Sequence, residues 1–312
     1  MTNRFNTSIE FQHRNGLKPL TDPIKTAGRF LLIACLLAST AICKEPDAAF
    51  QKLMHRLIRD GLDSARIQAY FEDETLEFLP DLIRLNLVQR ETYDVYSKFL
   101  TQDEIQDGFN FLRIHRDEIA RAAKKSTIPP ELIVAILKIE SNLGRNSGKY
   151  PILSSFVTIT FLEDSLQWVA RYDTSGGRNL ERLQRRAVRR SEWAYNELKD
   201  FLTVCELEGW DPLSVRGSWA GAFGWAQFLP SSYLHFAEDG DGDGKIDPYN
   251  LIDAVAGIHR YLNAAGWGGS DSSMRKALLQ YNPSASYVDC VLEYTQRLQL
   301  LQKVQAIPET ME

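Results

Sequence analysis

Cysteine and histidine are scarce in this sequence. Its 312 residues include 4 cysteines and 5 histidines, and no group of them has the spacing of a zinc site, which argues against a zinc-stabilised fold. Beyond residue 43 the cysteines are Cys205 and Cys290. Two buried thiols are favoured over a disulfide, because free cysteine packs well as a small apolar side chain.

A long apolar run and an excess of positive charge are also missing. Residues 44–312 carry 31 basic and 39 acidic side chains, a net charge of −8, which argues against general binding to nucleic acid. The apolar segment at residues 30–43 has 14 residues, fewer than the about 20 that a membrane helix needs. Residues 1–29 before it are polar, with five basic and two acidic side chains.

This arrangement predicts a signal peptide or an N-terminal membrane anchor over residues 1–43, with anchorage through residues 30–43. The sequence "LIAC" from Leu32 to Cys35 leaves lipidation open, and a buried N-terminal helix is the alternative. The chain is therefore expected to be exported.

Alternating runs of β-branched residues are few, which predicts little sheet. Apolar side chains recur instead at helical spacing, which predicts a mainly α fold. An N-terminal helical region is expected at 44–125 and a frayed tail at 305–312. The predicted helices cover residues 47–62, 77–89, 102–125, 129–141, 150–172, 251–264, 273–281 and 287–304.

Arginine is concentrated on one predicted helix face within residues 174–190. This face is either a solvated surface or a contact for an anionic polymer or a membrane. Its members are Arg178, Arg182, Arg185, Arg186, Arg189 and Arg190.

The stretch "PPELIVAILKIESNLG" places a carboxylate on an apolar helix stripe. Ile133, Ile136, Leu137 and Glu140 are spaced i, i+3, i+4 and i+7, and Gly144 offers a helix stop. A carboxylate on a core-facing stripe is costly unless it is paired or protonated. Glu140 is therefore either a partner in a buried salt bridge or an acid tuned for chemistry.

The stretch "DGDGDGKIDPYNLID", residues 239–253, matches the start of an EF-hand calcium loop. Aspartates stand at positions 1, 3 and 5, with Gly244 at position 6. Position 12, normally a bidentate glutamate, is Asn250, and the carboxylate three residues later is expected to replace it. A fully ligated Ca²⁺ would be structural. The predicted ligands are Asp239, Asp241, Asp243, the backbone carbonyl of Lys245, and Asp253.

The stretch "RGSWAGAFGWAQFLPSSY", residues 216–233, combines small residues, neutral polar groups and aromatic rings. Ser218 and Gln227 supply the polar groups, and small residues allow close approach of a ligand. A sugar ring packs its C–H face on aromatic rings and hydrogen-bonds through its hydroxyls. The stretch is therefore typical of a saccharide site, although a Gly/Ala-rich helical hairpin would look similar.

These motifs make residues 85–290 resemble the lytic murein transglycosylases, most closely the membrane-bound lytic transglycosylase B family. The resemblance rests on "IESNLGR", "GSWAGAFGWAQFLPSSY", the calcium loop, "YLNAAGW" and "YNPSASY", in family order. It implies a lysozyme-like helical catalytic core, here residues 126–304, with an EF-hand-type calcium loop inserted at 239–253. It also implies cleavage of the β-1,4 bond between N-acetylmuramic acid (MurNAc) and N-acetylglucosamine (GlcNAc) in peptidoglycan, which leaves a 1,6-anhydroMurNAc end.

The resemblance also implies roles for individual residues. Glu140 is expected to be the catalytic acid, and Ser218 and Gln227 are expected to contact the substrate. Residues 171–190 look like an insertion relative to the family. The groups expected to line the cleft are Tyr261, Tyr281, Asn282, Tyr287 and Trp225, the last in place of a family tyrosine, with Leu229 in place of a methionine and Tyr96 as the nearest counterpart of a further tyrosine.

One acid suffices if the sugar supplies its own nucleophile. Glu140, with its pKa raised by desolvation, is expected to protonate the glycosidic oxygen and then accept a proton from the C6 hydroxyl. Nothing in the sequence fixes Glu163 and Asp164 to the cleft. A goose-type muramidase, a non-catalytic peptidoglycan-binding protein and a calcium-regulated interaction protein are the alternatives.

The same resemblance sets the expected surroundings of the protein. Its partners would be peptidoglycan glycan strands and cell-wall synthesis or division proteins, with no nucleic acid. Its cofactor would be structural Ca²⁺, with no organic cofactor. Its location would be the bacterial periplasm or cell envelope, free or attached to the membrane.

Overall fold

The computed structural model describes residues 46–88, 93–123, 126–162, 177 and 179–305. The predictions for residues 1–43, for residues 306–312 of the tail, and for Arg178, Glu163 and Asp164 fall outside these ranges. Within them, no helix combines the length and apolarity that crossing a bilayer requires. The described residues belong to one compact unit that starts at residue 46. The predicted boundary between residues 125 and 126 stays a prediction.

The described part of the chain contains twelve α-helices, which confirms the expected mainly α fold. A 3₁₀ turn, Lys98–Leu100, follows α4. The helices are α1 Pro46–Arg59, α2 Ser64–Glu72, α3 Pro80–Val88, α4 Tyr93–Ser97, α5 Gln102–Ala122, α6 Pro130–Ser141, α7 Ile152–Thr160, α8 Leu180–Glu208, α9 Pro230–Phe236, α10 Leu251–Ala264, α11 Asp271–Tyr281 and α12 Ala285–Gln305.

The described sheet consists of two short antiparallel strands, β1 Tyr150–Pro151 and β2 Arg216–Gly217. Tyr150 lies opposite Gly217, and Pro151 lies opposite Arg216. The helix predicted over 150–172 therefore starts at Ile152, because residues 150 and 151 form β1. Its described part is α7, which Pro151 precedes in an extended conformation. The pair joins the segment after α6 to the aromatic stretch that opens at Arg216.

Helix α6 lies in the centre of the core and packs against α5 and α12. Its stripe residues are fully buried, and burial of each stabilises the fold by about 1.5–3 kcal/mol; they are Ile133, Ile136 and Leu137. Glu140, at the end of the stripe, is half-buried. The helix ends at Ser141 because Asn142 adopts a left-handed conformation, with φ of 50°. The stop expected at Gly144 therefore comes earlier in the chain.

Helix α7 is buried along its whole length and packs against α8 and α3. The long helix α8 turns Leu183 and Ala187 towards the core. Cys205 on α8 and Cys290 on α12 are both buried free thiols, as predicted. Burial raises the pKa of each to about 12.

Candidate active site

A cavity of about 1020 Å³ opens between α6, α8, the aromatic stretch after β2, and the turn between α11 and α12. Among its lining residues are six of the eight predicted catalytic and substrate-binding residues. These are Glu140, Ser218, Gln227, Tyr261, Tyr281 and Asn282. Segments that are far apart in sequence therefore meet at one site. The structure does not bring Trp225 and Tyr287 to the lining.

Glu140 projects from the last turn of α6 towards two tyrosines. Burial raises the pKa of Tyr281 and of Tyr287 well above the usual range, and the negative charge of Glu140 adds to the shift of both. For Tyr287, a side-chain interaction with Glu140 contributes as well. The carboxyl thus faces the cavity on one side and tyrosine rings on the other.

Tyr287 lies behind the cavity, with 1% of its surface exposed. Its ring is parallel to that of Tyr281, with an interplanar angle of 6° and 6.5 Å between centroids. Tyr96, also buried, meets Tyr287 edge to face at 5.9 Å. Tyr287 therefore contacts Glu140 from behind the cavity lining and Tyr96 packs against Tyr287, so neither ring is placed to stack on a ligand in the cavity.

Ser218 is part of a tight turn immediately after β2. Its Oγ accepts the backbone N–H groups of Ala220 and Ala222, at 3.3 and 3.1 Å. Its own N–H donates to the carbonyl of Ala222 at 2.7 Å. The Ser218 hydroxyl therefore holds the turn together and can still donate its hydrogen to a ligand in the cavity.

Gln227 is held in an unusual backbone conformation, with φ of 48°. Its side-chain Nε2 donates to the carbonyls of Ser147 and Gly224, at 3.1 and 2.8 Å. Because both amide hydrogens are used within the fold, Oε1 is the atom left to accept a hydrogen bond in the cavity. The site therefore offers a donor at Ser218 and an acceptor at Gln227.

Trp225 packs beneath the turn that follows α6. A Cβ built on Gly144 would come within 2.2 Å of the Trp225 ring, so glycine is required there. The ring centroids of Trp225 and Phe111 are 6.2 Å apart. The backbone N–H of Trp225 donates to the carbonyl of Pro248 at 2.9 Å. Trp225 therefore joins the Glu140 turn to the 239–253 loop.

The two tyrosines in the lining use their hydroxyls to hold the fold. The Tyr261 hydroxyl donates to the carbonyl of Gln280 at 2.6 Å, and the Tyr281 hydroxyl donates to the carbonyl of Ala226 at 2.5 Å. Their ring centroids are 4.9 Å apart, in an edge-to-face arrangement. What they offer to a ligand is ring surface rather than a polar group.

One wall of the cavity was not predicted from the sequence. Asn86 on α3 and Trp193 on α8 line it, together with Arg186 and Arg190. The Arg190 guanidinium lies 3.7 Å from the centroid of the Trp193 ring, and its Nη2 donates to Asn86 Oδ1 at 2.6 Å. Burial, with a smaller contribution from the charge of Arg186, lowers the pKa of Arg190 to about 10. The arginine face therefore has two parts. Arg186 and Arg190 line the cavity, whereas Arg182, Arg185 and Arg189 are exposed.

Asn86 carried a signal that the sequence analysis missed. It is the one amide in the stretch "LIRLNLV", whose other residues except Arg84 are apolar, and it is 1% exposed. A polar residue on a buried stripe needs a partner, the same argument that singled out Glu140. Here the partners are the Leu82 carbonyl and Arg190.

Three of the predicted calcium ligands meet at the 239–253 loop. Carboxylate oxygens of Asp239, Asp241 and Asp253 lie within 4.8 Å of one another. Asp243 is not one of the three, and its Oδ1 accepts the N–H of Lys245 at 2.8 Å. Asp253 reaches back into the loop from the first turn of α10.

Asn250 caps that helix rather than closing the loop. Its Oδ1 accepts the N–H of Ile252 at 2.7 Å, and its Nδ2 donates to Asp241 at 2.9 Å. Gly242 and Gly244 have φ of 80° and 86°, with open space around them. A clustered set of oxygen donors on a loop of this kind fits a hard cation such as Ca²⁺.

The sequence family described as Transglycosylase SLT domain matches residues 45–303. The chain belongs to this family. The match extends over both the cavity residues and the 239–253 loop.

Known relatives of this transglycosylase SLT domain protein agree with that membership. The membrane-bound lytic murein transglycosylase B of Escherichia coli (strain K12) is 35% identical over 174 residues, which cover 56% of this chain and 42% of that relative. The chain thus matches less than half the length of this curated relative.

Two solved structures have a similar fold. Escherichia coli Slt35 in complex with calcium has a TM-score of 0.64 and 24% identity, covering 82% of this chain and 94% of that one. Pseudomonas aeruginosa SltB3 in complex with NAG-anhNAM-pentapeptide has a TM-score of 0.62 and 19% identity, covering 80% and 78%. Both comparisons support the lysozyme-like fold expected for this transglycosylase SLT domain.

Proposed function

We propose that this protein is a lytic transglycosylase that cleaves the β-1,4 bond between MurNAc and GlcNAc in peptidoglycan and leaves a 1,6-anhydroMurNAc end. The observation that carries the proposal is that Glu140 is the sole carboxylate among the described residues lining the cavity. The name of the Escherichia coli relative and the anhydro-sugar ligand of SltB3 support the same substrate class.

A single carboxylate favours a particular chemistry. Glycosidases with two carboxylates place them about 5–5.5 Å apart to form a covalent intermediate, or about 6.5–9.5 Å apart to admit a water. With Glu140 as the one carboxylate among the described lining residues, a nucleophile supplied by the sugar itself fits this site. Intramolecular attack gains from proximity, because the reacting groups are already held together.

The proposed reaction uses Glu140 twice. Its carboxyl donates a proton to the glycosidic oxygen as the bond from that oxygen to C1 breaks, and the acetamide oxygen of MurNAc bonds to C1. The Glu140 carboxylate then takes the proton of the C6 hydroxyl. The C6 oxygen bonds to C1, the acetamide oxygen leaves, and Glu140 is protonated again.

The other lining residues would bind and orient the glycan. The Ser218 hydroxyl and Gln227 Oε1 provide one donor and one acceptor near the reacting sugar, which suits an acetamide or hydroxyl group. The rings of Tyr261 and Tyr281 offer flat surface for sugar C–H faces. Arg186 and Arg190 give the opposite wall a positive charge.

The decisive experiment is digestion of purified sacculi, with product masses measured for the wild type, Glu140→Gln and Glu131→Gln. Glu131 lies on the same helix but is not a cavity-lining residue, so Glu131→Gln is the matched control. The wild type and the control should release anhydro products, and Glu140→Gln should lose about 100-fold or more of the activity while keeping its helical circular dichroism. Activity retained in Glu140→Gln would assign the acid to another residue.

The product mass separates the remaining alternatives. A reducing end, heavier than the anhydro end by one water, would identify a muramidase of goose type. Binding to sacculi by the wild type without release of fragments would identify a non-catalytic peptidoglycan-binding protein.

We also propose that the 239–253 loop holds a structural Ca²⁺ through Asp239, Asp241, Asp243, the Lys245 carbonyl and Asp253. The meeting of three carboxylates supports this set, and so does the calcium in the Slt35 complex. When bound, the ion would neutralise the clustered negative charge.

Export to the cell envelope, with attachment through residues 30–43, is proposed from the sequence pattern and from the membrane-bound relative. Fractionation of cells expressing the full chain, and the chain without residues 1–43, tests it. The full chain should be recovered with the envelope, and the shortened chain with the cytoplasm. A role beside cell-wall synthesis or division proteins stays a prediction.

A further inference from the structure

A buried cation lies two residues before Glu140 in α6. The Lys138 side chain is 1% exposed. Its ammonium donates to Asp107 Oδ2 at 2.7 Å and to Asn142 Oδ1 at 2.8 Å, and it forms an ion pair with Glu104. Three acceptors therefore satisfy the three ammonium hydrogens. Two of these acceptors belong to α5, so the contacts tie α6 to its neighbour.

A second cation completes the cluster from the far side of the turn. Arg145 Nη1 and Nη2 donate to the two carboxylate oxygens of Asp107, at 2.6 and 2.9 Å. Bidentate pairs of this kind fix orientation as well as distance. The Arg145 and Lys138 contacts hold the pKa of Asp107 at about 2, well below its usual range. The segment between Lys138 and Arg145 is therefore held at both ends by one carboxylate.

The segment held in this way has a strained backbone. Asn142, Leu143 and Gly144 are successive left-handed residues, with φ of 50°, 59° and 80°. Leu143 is 3% exposed, and a branched, bulky residue rarely adopts this conformation. Among the described residues, the only other non-glycine residue with positive φ is Gln227. Strain of this kind persists only where surrounding contacts impose it.

This left-handed turn contacts the opposite side of the cavity. Gly144 lies against the Trp225 ring, and the carbonyl of Ser147 accepts the side-chain N–H of Gln227 at 3.1 Å. The chain that leaves Glu140 is therefore also the chain that supports Gln227. A shift of the turn would change the distance between the proposed acid and the polar group across the cavity.

We infer that Lys138 is a positioning residue, which acts through its ion pairs to α5 and its hydrogen bond to Asn142 to hold the left-handed turn and so to align Glu140 with Gln227. This inference rests on the proposed catalytic role of Glu140. It is distinct from a role in stability alone, because the turn connects two residues that act on one substrate.

The test compares Lys138→Met with Asn142→Gly on soluble peptidoglycan fragments. Methionine keeps most of the buried volume and removes the charge. Glycine keeps the left-handed backbone and removes the amide that accepts from Lys138. We expect kcat to fall about 10- to 100-fold in Lys138→Met and about 10-fold in Asn142→Gly, with KM within about threefold, because small misplacements of reacting groups have effects of this size.

Asn142→Gly separates positioning from stability. Its unfolding midpoint should fall less than that of Leu57→Ala, because relief of the strain at φ of 50° offsets part of the cost of the lost hydrogen bond to Lys138, while kcat still falls. Leu57→Ala, in the fully buried part of α1, is the control for stability. It should lower the midpoint and leave kcat unchanged at a temperature where all variants are folded.

Two results would overturn the inference. One is kcat within about threefold of the wild type in folded Lys138→Met and in Asn142→Gly, and the other is a loss confined to KM. If Lys138→Met does not fold, Asn142→Gly decides alone. Inactive Glu140→Gln with normal kcat in both variants rejects only the positioning role, whereas active Glu140→Gln rejects the proposed function.

Discussion

Replacing Gly144 with alanine should destabilise the protein more than the same change at Gly266. The two glycines have nearly equal φ, 80° and 85°, so the left-handed backbone costs alanine about 1–2 kcal/mol at both positions. A Cβ added at Gly266 would have no atom within 4 Å, whereas a Cβ added at Gly144 would lie 2.2 Å from Trp225. The difference between the two variants therefore isolates the contact with the tryptophan.

The magnitude follows from how little Trp225 can move. Its backbone N–H is bonded to Pro248 and its ring packs near Phe111. Overpacking in such a setting costs about 1–3 kcal/mol. We therefore expect the free energy of unfolding to fall by about 1–2 kcal/mol in Gly266→Ala and by about 2–5 kcal/mol in Gly144→Ala.

Urea unfolding followed by circular dichroism measures both losses. The double variant Gly144→Ala with Trp225→Leu should lose less than the sum of the single variants, because the smaller side chain removes the overlap. Equal losses for Gly144→Ala and Gly266→Ala, within about 0.5 kcal/mol, would refute the reasoning. So would strict additivity in the double variant.

Three further predictions concern other parts of the molecule. Burial lowers the pKa of His259 to about 4. Because His259 of the unfolded chain takes up its proton at higher pH, the free energy of unfolding should fall by up to about 3 kcal/mol as the pH is lowered from 6.5 to 4. His259→Gln should remove this slope in urea titrations at several pH values, and an unchanged slope would contradict it. Saturating Ca²⁺, at 100 times its dissociation constant, should stabilise the wild type by about 2.7 kcal/mol. Calorimetry with and without a chelator should show that Asp253→Asn loses this stabilisation. An unfolding temperature of the wild type that does not change with the chelator would exclude the site. Cys205 and Cys290, buried with pKa values near 12, should be alkylated only after unfolding, as read by peptide mass mapping, and rapid labelling of the native protein would contradict their burial.

Local patterns in the sequence were enough to predict most of the helices and to single out the stripe that ends at Glu140 and the acidic loop. The stripe that ends at Glu140 follows from helical periodicity, which depends only on residues within three turns. The acidic loop follows from fixed spacings of aspartate and glycine, and its unusual closing residue, Asp253, lies only three positions beyond Asn250. In both places, residues that are close in the sequence are also close in the structure.

Features that depend on contacts between distant segments could not be predicted in this way. Helix α6 ends at Ser141, where Asn142 is left-handed and accepts a hydrogen bond from Lys138, which is itself paired with carboxylates of α5. Trp225 packs beneath Gly144 because its turn is bonded to Pro248, which no local pattern reveals. The wall formed by Asn86 and the arginines requires α3 and α8 to come together. Each of these features joins residues that are distant in sequence or held by a neighbouring helix.

Helix α10 links the acidic loop to the cavity. Asp253 lies in its first turn and Tyr261 lies eight residues later, about 12 Å along the axis. Pro248 of the same loop receives the N–H of Trp225. A cation at the loop would thus stabilise two segments around the cavity from outside, without contact with a ligand in it. Loss of the cation would then first loosen the walls around Tyr261 and Trp225, while Glu140 on α6 kept its place.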